Sequence, residues 1–61
     1  MSESYDERLR QAARLIHEVG HDRESYLAAA RQYFNDTSRE TLNRINEKVV
    51  EIYGHDYRQG F

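Results

Sequence analysis

Four aliphatic residues, Leu42, Ile45, Val49 and Ile52, recur at intervals of three, four and three, and they constrain this chain more than any other feature. Residues so spaced share one side of an α-helix, so the repeat draws a single apolar stripe that must be covered by packing. Thr37 and Glu40 form a T-x-x-E capping box, which places the start of this helix at Thr37. Gly54 follows Tyr53 and suits the left-handed residue that closes a helix. Val50 and Tyr53 lie beside the stripe and widen its apolar face.

The rest of the chain reads the same way. It has no proline, three glycines and many Ala, Arg and Glu residues, a composition that favours helix throughout. Ser4 and Glu7 make a second capping box, with Asp6 and Glu7 in the first turn, where the helix dipole favours acids. Tyr5, Leu9, Ala12, Ile16 and Val19 then form a stripe that Ala13 and Leu15 broaden, and Gly20 ends the helix. Asp6–Arg10 and Arg14–Glu18 are i,i+4 pairs on its wet side. Asp22 is the expected cap of a second helix, with Leu27, Ala30 and Phe34 on one stripe and Tyr26, Ala29 and Tyr33 on another. The run Ala28–Ala30 permits close helix approach, and Asn35 and Asp36 make the second turn. The expectation is an all-α, small three-helix up-down-up domain, with helices over 4–19, 22–34 and 37–53 and a short tail over 54–61.

Sixty-one residues make one domain with few large aliphatics, which is marginal alone. No cysteine is present to add a disulfide or a thiolate metal site, so self-association or docking on a larger partner is the natural remedy. The net charge of −2 suits neither a strongly basic nucleic-acid binder nor an acidic disordered chain. No apolar run reaches membrane-spanning length, and the polar, acidic start MSESYDERLR is unlike a signal peptide, so a cytoplasmic protein without membrane contact is expected.

His17, Glu18, Val19, Gly20 and His21 spell HExxH, the pattern in which two histidines one helical turn apart bind zinc. That geometry needs unbroken helix through the second histidine. Here Gly20 ends the helix, so His21 leaves the face of His17, and only His55 or Glu51 stands as a third ligand by elimination. A polar helix terminus is the preferred reading, and no metal or other cofactor is expected. No nucleophile with a signalled base and no glycine-rich phosphate loop appears, so the chain is read as a non-enzyme.

The run Ser38 to Ile45, SRETLNRI, resembles the recognition helix of helix-turn-helix regulators of the cyclic-AMP-receptor type, which opens with a similar S-R-E-T-V-x-R-I. The resemblance covers these eight residues. It implies that Arg39, Glu40 and Arg44 face base edges while Ser38 and Thr41 face the phosphate backbone. Ahead of the run, the positions where those regulators carry a small residue and a glycine hold Gln32 and Asp36.

Five tyrosines in this length are many, and tyrosine gives large contact area at low entropy cost. Tyr26, Tyr33, Val50, Tyr53 and Tyr57 are therefore expected to divide between closing a thin core and facing a partner, and Tyr57 and Phe61 of the tail to dock on the bundle or on that partner. The function expected is a small helical interaction or regulatory protein that binds a protein partner or itself through an aromatic-aliphatic face. The alternative is a DNA-binding regulator that uses the third helix.

Overall fold

A computed structural model of the chain describes residues 4–20 and 22–54. It contains three helices, α1 (Tyr5–Val19), α2 (Arg23–Phe34) and α3 (Arg39–Tyr53), and no strand among the described residues. Tyr57 and Phe61 of the tail, and His21, lie outside those residues.

Two of the three helix starts fall where the caps predict. The Ser4 hydroxyl accepts the Glu7 amide at 3.1 Å, and the Asp22 carboxylate accepts the Ser25 amide at 3.0 Å. The third start differs. Ser38, not Thr37, caps α3, in extended backbone with φ −66 and ψ 157. The Asp36 carboxylate decides it, accepting the Ser38 amide at 3.0 Å and the Thr41 hydroxyl at 2.6 Å. At the C-termini, Gly54 takes the left-handed conformation at φ 76, and Asn35 does the same for α2 at φ 51, a conformation asparagine tolerates.

Ring contacts fix the order of packing. Tyr5 meets Phe34 with centroids 5.5 Å apart, so α1 begins where α2 ends. His17 stacks on Tyr53 at 4.0 Å and 6°, so α1 and α3 end together. The topology is thus up-down-up. The core between the helices consists of Leu9, Ala12, Ala13 and Ile16, of Tyr26, Ala29 and Ala30, and of Leu42, Ile45 and Val49. Four of these ten are alanines, which let the backbones approach closely where a thicker chain would use leucine.

The stripes are shorter than their sequence spacing implies. Ile52 remains 45% exposed and Val19 65%, each in the last turn of its helix, where the described neighbouring helices do not cover it. Tyr5 is half exposed in the first turn of α1. On α2 the buried centre is Tyr26, Ala29 and Ala30, while Leu27, Tyr33 and Phe34 pack at its margins and Ala28 faces out.

Polar contacts also tie the helices across the sequence. Inside, the Tyr26 hydroxyl donates to Asn46 Oδ1 at 2.7 Å. Outside, Lys48 Nζ reaches Asp6 at 2.7 Å and Glu51 at 2.6 Å, which raises the lysine's pKa and lowers that of Asp6. Asp6 also keeps its expected partner Arg10 at 3.1 Å, and Arg14 keeps Glu18 at 3.3 Å.

An alanine seam predicts a sharp asymmetry. Ala30→Leu overpacks the core and is expected to cost about 1–3 kcal/mol. Ala28→Leu, on the exposed side of the same helix, is expected to stay within about 0.5 kcal/mol of the parent. Urea unfolding followed by circular dichroism measures both.

Candidate functional site

The tyrosines expected to form one face have separate fates. Tyr26 is fully buried and hydrogen-bonded, so it is a core residue and not part of a partner surface. The cause is α2 itself, whose other fully buried side chains are alanines and leave a ring-sized space. Tyr33 is half-buried in the seam between α1 and α2, in an open groove of about 350 Å³ with Gln11, Arg14, Leu15 and Glu18. Tyr53 is half-buried where α1 and α3 end, flat against His17. Val50 is 39% exposed one turn before it. Tyr57 lies outside the described residues.

What gathers at that end is broader than the sequence suggested. The His17–Tyr53 stack brings the last turns of α1 and α3 together, and those turns carry Val19, Val50 and Ile52. All three are substantially exposed. Val50 and Ile52 flank Tyr53 on opposite sides of α3, as their angular positions on a helix require. Spacing alone puts Val19 and Ile52 on core stripes, yet both are exposed. The available signal was their place one or two residues before a helix-closing glycine, where the packing partner runs out.

The start of α3 carries the residues of the helix-turn-helix resemblance. Arg39, Glu40 and Arg44 do lie together, lining an open groove with Asn43 and Glu47. Glu40 takes Arg44 at 3.4 Å, so the face is mixed in sign. Ser38 and Thr41, expected to hold phosphates, are engaged within the chain. The Ser38 hydroxyl donates to Asp36 at 3.1 Å and accepts the Thr41 amide at 3.4 Å, and Thr41 is buried. A carboxylate therefore already sits at the helix terminus that would attract a phosphate.

His17 is exposed on α1 and stacked on Tyr53, while His21 lies outside the described residues. Among the described residues no group of three or more His, Cys, Asp or Glu side chains is placed to hold a metal ion. No described helix is long and apolar enough to cross a membrane. No protein-family model, curated protein or solved structure matches the chain.

The Asp36 carboxyl is held below its ordinary value of 3.8, first by the Thr41 hydroxyl and then by the Ser38 amide. A depressed carboxyl adds stability above its unfolded pKa, and that stability is lost as pH falls through the folded pKa. The urea midpoint is therefore expected to fall between about pH 5 and about pH 2. Asp36→Asn should make that fall shallower and leave the part due to Asp6, whose carboxyl is lowered chiefly by its Lys48 hydrogen bond. An unchanged pH profile in the variant would contradict the role given to Asp36.

Proposed function

We propose that this chain is a small non-enzymatic interaction protein that binds a protein partner, or a second copy of itself, by burying the apolar end formed by Val19, Val50, Ile52 and Tyr53. The observation that carries the reading is the exposure of Val19, Val50 and Ile52 in the last turns of α1 and α3, the turns that the His17–Tyr53 stack joins, beside a core that is already closed. Apolar groups left together at a surface gain from being covered, and aromatic and aliphatic anchors rimmed by polar side chains are what interfaces bury. Glu18 and Glu51 provide such a rim. Tyr33 stands apart in the α1–α2 seam and contributes to a partner surface only if the contact is large. A regulatory role follows from this mode of action, since occupancy of a partner's surface is all such a chain offers. The cytoplasm suits a chain whose stability draws nothing from disulfides.

The DNA-binding reading remains the second proposal, supported by the exposure of Arg39 and Arg44 on α3. Asp36, Glu40 and Glu47 oppose it, because phosphate contacts need an excess of cations. It requires that binding to a labelled duplex weaken steeply with salt and that Arg39→Ala or Arg44→Ala abolish it.

The apolar end is tested by the double variant Val19→Ser with Ile52→Ser, compared with the parent in quantitative capture of partners and in sedimentation velocity. Both side chains are exposed, so the melting temperature should hold within a few degrees. Association with whichever partner the parent binds should weaken at least about tenfold, the loss of two aliphatic contacts at roughly 1 kcal/mol each. Undiminished association in a folded double variant would refute the reading.

A further inference from the structure

A second surface lies along the N-terminal half of α3. Arg39, Asn43 and Glu47 follow one another at i, i+4 and i+8, so they fall on one line down the helix. Arg39 and Glu47 are exposed and Asn43 is half-exposed. None of the three makes a side-chain hydrogen bond or ion pair with another described residue. Their neighbours differ: Glu40 holds Arg44 at 3.4 Å, and Lys48 holds both Glu51 and Asp6.

The order of the line matters. A cation lies four residues before Asn43 and an anion four residues after it. At 1.5 Å per residue each stands about 6 Å from the centre. A parallel copy of α3 would set like charge against like. An antiparallel copy, related by a two-fold axis at Asn43, sets each arginine against a glutamate and each glutamate against an arginine. The Asn43 amide carries both donors and an acceptor, so it can bond to its own symmetry mate. The same operation brings Glu40 of one copy within two residues, about 3 Å of helix rise, of the position opposite Arg44 of the other. These residues line one open, solvent-facing side of α3.

We propose that α3 pairs antiparallel with α3 of a second copy about a two-fold axis at Asn43, Arg39 of each copy meeting Glu47 of the other. The contact is isologous and closes as a dimer. It rests on charge order and not on apolar burial, so it is weak and sensitive to salt. It makes no use of Val19 or Ile52, although Val50, seven residues after Asn43, continues the same line.

The test is sedimentation equilibrium of the full chain up to about 1 mM protein, where weak association is visible, at about 20 mM and about 500 mM salt. Four proteins are compared: the parent, Arg39→Glu, Glu47→Arg, and the double swap. Both positions are exposed, and circular dichroism checks that each variant folds. The parent should dimerise at low salt and dissociate at high salt. Either single reversal turns two attractions into two repulsions and should raise the dissociation constant about tenfold or more. The double swap should return it to within about threefold of the parent. Mixing the two single variants should produce a heterodimer, because their lines are then opposite in sign throughout. A monomeric parent at low salt would overturn the pairing, as would a dimer indifferent to both reversals or a double swap as weak as the singles. A dimer broken by Ile52→Ser but not by the reversals would also overturn it, and would place self-association at the apolar end.

Discussion

The hydrogen bond from the Tyr26 hydroxyl to Asn46 decides how the helices can sit. α2 contributes two alanines and one ring to the fully closed core, so the ring fills most of the space between that helix and its neighbours. Its hydroxyl then arrives where water does not, and an unpartnered buried hydroxyl is costly. Asn46 provides the acceptor from the middle of α3. A buried polar pair of this kind narrows the acceptable rotations of one helix against the other, where aliphatic contacts alone tolerate many. No buried side-chain nitrogen or oxygen is left without a partner among the described residues.

The surface follows from the same choice. With Tyr26 turned inward, Ala29 and Ala30 share its face, and Tyr33 and Phe34 fall to the margins. α1 and α3 finish side by side, joined by the His17–Tyr53 stack. Among the described residues, the aliphatic groups of their last turns, Val19 and Ile52, stay exposed. Exposed apolar area at this end is thus a consequence of helix length and register in a bundle whose centre is already full. The charges of α3 sort in the same way. Lys48 is engaged with Asp6 of α1, while Arg39 and Glu47 remain exposed.

Much of this was legible in the residues. The helices, their order and the caps at Ser4 and Asp22 came from local chemistry, which acts over a few residues and is written in them. The start of α3 was misplaced by one residue. Thr37 and Ser38 both offer a hydroxyl with a suitable residue three positions later, and the arbiter is the Asp36 carboxylate, which bonds Ser38 and Thr41 together. Burial was less legible. Ile52 and Tyr26 have ordinary stripe positions, yet one is exposed and the other enclosed, because coverage depends on where the neighbouring helices end. Asn46 stands four residues after Leu42 and three before Val49, on the buried stripe by spacing, but its side-chain type argued against the core. A polar side chain on a helix reads as solvent-facing until its partner, twenty residues away, is known to be opposite.

The most direct measurement is a double-mutant cycle on the central pair, using Tyr26→Phe, Asn46→Ala and the two combined, with unfolding free energies from urea titration. If the hydroxyl–amide bond holds α2 to α3, the two substitutions will be coupled by about 1 kcal/mol or more, and the second change will cost much less once the first is made. Additivity within about 0.3 kcal/mol would show that the pair does not interact in solution, and the arrangement of α2 against α3 described above would be wrong.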